Sequence, residues 1–335
     1  MQKSIVSYAD PIYGDFHLTD PLLVDLYHSR AVQRLKHIHQ GGITAFIKPS
    51  RKTTRFEHSL GVTSLLHRLG AGIEEQAAGL VHDVAHTAFS HVIDFVFPNK
   101  EHDYHEKNSA RQILGSDLPH IATKHQLDWH HLTDSSRYTL LEQPLPRLCA
   151  DRLDYFLRDG VVDVCTFSAQ DARAFLHHVR SWKGEIVIDD LDAARWLGEQ
   201  FIILDQVCWC SVQEVGWYGV MANALKIALA HEIISENDLQ TTDSVVMETL
   251  KTAHNKDVDR WLNLLRIDVD FERVCEHPDL VTLPKVRAVD PPVLQKGTVV
   301  PLSTLDHAFA LHRDKYVKSK QGVWKLRIIE PQTPT

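Results

Sequence analysis

Apolar residues recur at intervals of three and four along most of the chain, and each such run stops at Gly, Pro or a polar cluster. After an N-terminal stretch in which Pro11 and Gly14 mark an extended or turning path, Leu22, Leu23, Leu26, Val32 and Leu35 predict helix from Pro21 to about Gln40. Gly41-Gly42 ends it, and 43–48 reads as a short extended piece closed by Pro49. Helices are expected over 56–72 (Phe56, Leu60, Leu65, Leu66, Leu69) and 73–97 (Ala77, Leu80, Val81, Val84, Ala88), with Pro98-Asn99 as the stop. Residues 101–147 read as helix with polar loops. In 148–159, Leu148, Leu153, Phe156 and Leu157 share one stripe, so Asp151 can project from a helix into a cavity.

Beyond Gly160 the period changes. Residues 185–189 form a strand candidate, long apolar helices are predicted over 193–231 and 244–265, and the tail holds strand-like pieces at 285–289, 298–300 and 323–329. The class is therefore mainly α, a helical bundle with a helical C-terminal extension and a small β element. The helices carrying Trp196, Trp209, Trp217 and Trp261 suit either core or a subunit interface, which leaves a homo-oligomer open.

A net charge of -8 argues against a generic nucleic-acid coat, since phosphate-backbone binding needs a basic face; a small anion held by a few local cations stays allowed. The five cysteines (Cys149, Cys165, Cys208, Cys210, Cys275) form no CxxC pair and read as buried apolar residues of a reducing compartment. The first residues lack an apolar leader core and no stretch suits a membrane span, so a cytoplasmic protein without membrane association is expected.

Chemistry enters with Gly79-Leu-Val-His-Asp-Val-Ala-His86. His82 and Asp83, with His58 upstream and Asp151 downstream, offer two imidazoles and two carboxylates from three segments, a ligand set for a divalent metal such as Mn, Fe, Co, Zn or Mg. On one helix His82 and Asp83 diverge by roughly 100°, so the closing ligands must come from facing helices. Metal-assisted hydrolysis follows. His86 stands one turn beyond His82, within a cluster of imidazoles able to move protons at neutral pH. Of the cations Lys48, Arg51, Lys52 and Arg55 ahead of His58, all but Arg55 read as a solvated loop.

Asp10-Pro-Ile-Tyr-Gly14, Val32-Gln-Arg-Leu-Lys36, Arg55-Phe-Glu-His-Ser-Leu-Gly61, the 79–91 segment and Asp151-Arg-Leu-Asp-Tyr-Phe-Leu-Arg-Asp159 together resemble the HD-domain phosphohydrolases of the deoxynucleotide triphosphohydrolase branch. The resemblance covers roughly 5–160 and, more loosely, 285–294. It implies an HD-domain core at 1–165 and a helical extension with a small β element at 166–335. It also implies His58, His82, Asp83 and Asp151 as metal ligands; His91, Asp94 and His105 as catalytic groups; Arg55 and Arg152 on phosphate; and Gln40, Tyr155 and Asp159 on the sugar. The implied reaction is hydrolysis of a dNTP to deoxynucleoside and triphosphate by metal-activated water.

Two departures keep other readings in play. Gly41 stands where such enzymes carry a bulkier residue against the ribose, and Cys208-Trp-Cys-Ser-Val-Gln-Glu-Val-Gly-Trp-Tyr218 lacks cations expected at the distal phosphates. A nucleotidase or phosphodiesterase acting on ribonucleotides or similar substrates is the alternative. A non-catalytic nucleotide-sensing or nucleic-acid-binding module is the reading from another class, and a full set of proton-transfer residues argues against it.

Overall fold

Side-chain caps set where the site-bearing helices begin. Thr54 accepts the Glu57 amide while the Glu57 carboxylate takes the Thr54 amide, and this reciprocal cap starts the helix Arg55–Arg68 that carries His58. The computed structural model describes residues 5–98 and 104–331, the side chains of 105–109 and 135 excepted. Within it, Arg55–Arg68 packs against the helices Ile73–Val81 and Ala150–Arg158, which places the segments holding His58, His82 and Asp151 side by side. Where they meet, Gly79 gives the room: a Cβ there would lie 2.5 Å from Leu66 Cδ1.

The strands are peripheral. Val6–Asp10 and Gly14–Leu18 form an antiparallel hairpin; Val179–Trp182, Glu185–Ile188, Pro292–Gln295 and Thr298–Pro301 form a mixed sheet in that order. In a third sheet Trp324–Ile329 lies between Asp270–Arg273 and Leu280–Thr282. Both halves of the chain share cores. Leu65, Leu66 and Phe156 pack with Phe201 and Phe309, and the long helix Val212–Ala230 brings Trp217 and Met221 against Phe89 and Val92. Of the four tryptophans named above, Trp217 is buried in these clusters, and Trp196, Trp209 and Trp261 pack against them partly buried.

The mainly α class with small β elements holds, and local expectations fail at identifiable places. Residues 43–48 are not extended: Thr44–Ile47 is a helical turn, entered through Gly42 at φ +54°, where a Cβ would meet the Phe89 carbonyl oxygen at 2.5 Å. The helix expected over 73–97 stops at Val81, and short turns at Ser90–Val92 and Ile93–Val96 follow. The 193–231 run breaks into Leu191–Leu204, a wide turn Asp205–Trp209 and Val212–Ala230, while 244–265 divides into Asp243–Thr252 and Lys256–Leu262. Residues 285–289 make no ladder; they are irregular chain running past the cavity described below. The helix His307–Lys320 was not foreseen, because its buried positions are few. Cys165 and Cys275 are exposed, against the expectation of burial that Cys149, Cys208 and Cys210 meet.

Gly198 gives a test of the shared core. An alanine Cβ there would sit 2.5 and 2.7 Å from ring atoms of the buried Phe309. Helix propensity favours Ala by about 1 kcal/mol, but overpacking costs about 1–3 kcal/mol. Gly198→Ala is therefore expected to lower Tm in calorimetry, and an unchanged or raised Tm would count against this packing.

Candidate metal centre and active-site cavity

Three donor atoms converge from three segments. His58, His82 and Asp151 each offer one atom, all within 4.8 Å of one another. His58 Nε2 lies 2.8 Å from Asp151 Oδ1, and His82 Nε2 lies 3.5 Å from the same oxygen. The His82 Nδ1–H donates to the Gly79 carbonyl at 2.8 Å, which directs Nε2 to the centre. There, among the described residues, it is buried and makes no well-formed hydrogen bond. His58 is oriented likewise, its Nδ1–H donating to Asp154 Oδ2 at 2.8 Å. Imidazole nitrogens turned inward by outer hydrogen bonds, with a carboxylate beside them, fit a divalent ion.

Asp83 borders this group. Its Oδ1 is 3.4 Å from His82 Nε2 and its Oδ2 3.7 Å from His58 Nε2. It does not sit on a helix face as expected, because the helix ends at Val81 and Asp83 occupies a turn. Its oxygens also meet Arg55 Nη1 at 2.8 Å and His86 Nε2 at 3.2 Å. Burial opposes ionisation of Asp83, yet Arg55, His82 and His86 hold its carboxyl well below the usual range. Burial would depress His58, but hydrogen bonds to Asp151 and Asp154 and the Asp83 charge raise it to about 10. Positive charge is thus favoured where the donors meet.

Behind His58 lies a chain that the sequence reading passed over. Arg158 donates to both oxygens of Asp154 at 2.9 Å and to Asp10 Oδ2 at 2.9 Å, all fully or nearly buried. Spacing could have revealed it: Asp151, Asp154, Tyr155 and Arg158 recur at three and four on one helix.

The centre opens onto a cavity of about 400 Å³. On one side stand His86 and His91, their rings 5.1 Å apart edge to face. Burial and Arg55 push His86 down to about 3, while Asp94 Oδ2 accepts from His91 Nδ1 at 3.0 Å. His105 lies in the helix Tyr104–Leu114, but its side chain falls outside the described residues. On the other side Tyr155 and Asp159 follow Asp151 along its helix; Tyr155 meets the Trp209 ring edge-on at 5.0 Å. Asp159 begins a wide turn, Asp159–Asp163, and accepts from Trp209 Nε1 at 2.6 Å and from Gln40 Nε2 at 3.4 Å. Burial and Asp163 push Asp159 up to about 7.

Arg152 lines the cavity but donates to the carbonyls of Gln143 and Arg147, and its buried Nε makes no hydrogen bond among the described residues. Arg51 is 7% exposed, not solvated as expected; it lines the cavity and donates to Cys208 Sγ. Glu142 and Arg287, both unforeseen, also reach the wall. Burial and Asp151 push Glu142 up to about 7.

Comparison with known proteins agrees with this architecture. An HD domain profile matches residues 55–159. The chain is 38% identical to the uncharacterized protein YdhJ of Bacillus subtilis over 94% of its length and 97% of that protein. It is 31% identical to the metal-dependent phosphohydrolase cns2 of Cordyceps militaris over 93% and 92%. Human deoxynucleoside triphosphate triphosphohydrolase SAMHD1 matches only in part, 40% identical over 25% of this chain and 16% of that protein. In fold the chain resembles a phosphohydrolase from Bacteroides thetaiotaomicron, with a TM-score of 0.71, 16% identity, and 98% and 100% of the two chains covered. The chain belongs to the HD-domain metal-dependent phosphohydrolases. That family implies a divalent metal ion, which His58, His82 and Asp151 would hold, and among the described residues no helix is long and apolar enough to cross a membrane.

Gly61 tests the outer support of the centre. A Cβ there would run into Arg158 Nη2 and Asp154 Oδ1. Gly61→Ala is expected to tilt His58 and weaken Mn²⁺ binding about 10- to 100-fold by calorimetric titration. Parental affinity in a folded variant would refute the support.

Proposed function

We propose that the protein hydrolyses a phosphate ester of a nucleotide, and that a dNTP, released as deoxynucleoside and triphosphate, is its substrate. The observation that carries the reading is the placement of the donor group His58, His82 and Asp151 at one end of a cavity that continues along the Asp151 helix past Tyr155 to Asp159. Residues 151 to 159 span about 12 Å of helix, enough for a phosphate at the first and a sugar at the last.

In this reading His58, His82, Asp83 and Asp151 would hold the ion, which when bound would supply Lewis acidity toward a phosphoryl oxygen and lower the pKa of water. Arg55, fixed on Asp83 and Ser90, turns its remaining donor to phosphate. Arg152 contributes through Nε. His91, with Nδ1 engaged by Asp94, gives a proton to the departing sugar oxygen from Nε2, and His86, kept neutral, orders the approach of water. His105 stands as a further proton-transfer group. Gln40, Tyr155 and Asp159 receive the sugar. The partial likeness to SAMHD1, a deoxynucleoside triphosphate triphosphohydrolase, supports the choice of a dNTP.

A ribonucleotide or a nucleotide with fewer phosphates is the second reading. At Gly41 a Cβ would meet nothing nearer than Arg51 Cβ at 3.9 Å, which leaves space beside the sugar position. Asp159, Asp163 and Glu214 on the same wall oppose a long polyphosphate.

Product analysis separates the two. With Mn, Fe, Co, Zn or Mg added in turn to dNTPs, NTPs and mono- and diphosphates, deoxynucleoside plus triphosphate is expected; turnover of ribonucleotides or monophosphates alone would shift the function to the second reading. His82→Ala and Asp83→Ala are expected to lose metal and turnover, and His91→Ala to keep metal while turnover falls about 10²- to 10⁴-fold. Full activity in either ligand variant would sink the site.

A further inference from the structure

The loop between His82 and His91 is held in a conformation its own residues do not favour. Phe89 (φ 60°) and Ser90 (φ 50°) are consecutive left-handed residues, neither of them glycine, and a bulky aromatic there is a steric outlier. Something outside the loop must compensate.

The compensating groups come from the extension and from the first helices. Asp243, the first residue of the helix Asp243–Thr252, is fully buried and accepts three N–H donors. Its Oδ1 takes the Phe89 amide at 2.7 Å, and its Oδ2 takes the His39 amide and His39 Nδ1, each at 2.8 Å. The Leu239 carbonyl accepts the Ala88 amide at 2.7 Å. Arg34, from the Val32–Lys36 motif that the catalytic reading leaves unused, spans the joint. Its Nη2 donates to the carbonyls of Val84 and His86 at 2.8 and 2.7 Å, and its Nη1 to those of Gln240 and Thr241 at 3.1 and 2.8 Å. Ser90 closes the circuit, donating to the His39 carbonyl at 2.6 Å while accepting from Arg55 Nε at 3.0 Å.

None of Arg34, His39 and Asp243 lines the cavity, whereas Asp83, His86 and His91 on the clamped loop all do. We propose that Asp243, together with Arg34, is a positioning clamp: the C-terminal half holds the 83–91 loop so that His86 and His91 face the cavity, without itself touching substrate. The arrangement joins a carboxylate that gathers amides to a guanidinium that gathers carbonyls, both meeting the 84–89 segment and the 239–243 segment. The proposal rests on the phosphohydrolase activity of the centre and not on which nucleotide is cleaved.

The test uses the full chain. Asp243→Asn preserves volume but converts one acceptor oxygen into a donor, so it cannot hold both Phe89 and His39. Arg34→Lys keeps charge but loses the fork. Each is compared with the parent, and with Gly198→Ala as a variant destabilised away from the site, for bound Mn²⁺, kcat and KM on the nucleotide turned over fastest, and hydrogen exchange of residues 84–92. Expected are unchanged metal content, KM within about twofold, kcat lower by about 10- to 100-fold, and faster exchange confined to 84–92. A kcat within twofold of the parent, a loss no greater than in Gly198→Ala, or undiminished protection of 84–92 in Asp243→Asn would overturn the clamp. If the parent cleaves no nucleotide, the proposed substrate class falls, and the exchange of 84–92 still decides whether Asp243 holds the loop.

Discussion

His58 is bonded at both ring nitrogens to carboxylates, the buried Asp154 behind and Asp151, at the edge of the cavity, in front. Each buried carboxylate there is tolerable only while a cation or an N–H donor answers it. Arg158 answers Asp154 and Asp10, Arg55 answers Asp83, and the two imidazoles answer Asp151. Much of the bundle geometry serves this requirement. The N-terminal hairpin is tied to the Asp151 helix through Asp10, and Gly61 is small because the guanidinium passes where its side chain would be. A metal ion at the donor atoms would complete the charge balance at its inner end.

What the sequence disclosed depended on how local each cause is. The Asp151 helix follows from its apolar stripe, and the His58 helix from its stripe and its cap, because both signals lie within one or two turns. His58, His82 and Asp151 were legible as donors by residue type, and the fold brings them together. The break at Val81 was not legible: Val84 and Ala88 continue the apolar period, and only long-range hydrogen bonds from Arg34 and Asp243 turn the chain away from helix. The same holds for 43–48, whose apolar run resembles a strand until Gly42 turns it against Phe89. Arg51 looked like part of a solvated basic loop, and its burial depends on Cys208, far along the chain.

Those long-range ties also explain why the two halves share cores instead of standing apart. Phe89 fills the same cluster as Trp217 and Met221, so the backbone strain at Phe89 and Ser90 is set against apolar burial supplied by the extension. The wide turns at Asp159–Asp163 and Asp205–Trp209 act as a matched pair, since each follows a helix end and together they bring Trp209 onto Asp159. The cavity is therefore lined from both halves.

The electrostatics of that cavity limit what can enter. Three of its four arginines are partly engaged, Arg55 by Asp83, Arg152 by backbone carbonyls and Arg51 by Cys208, and carboxylates stand among them. Recognition of an anion must then come from directed donors and from the metal at one end. Asp159, pushed up to about 7 by burial and Asp163, can present either a donor or an acceptor at the other. In the proposed reading the two ends make opposite demands, one for negative oxygen and one for hydroxyl or amide groups, and a phosphate ester on a hydroxylated sugar is the proposed molecule that meets both.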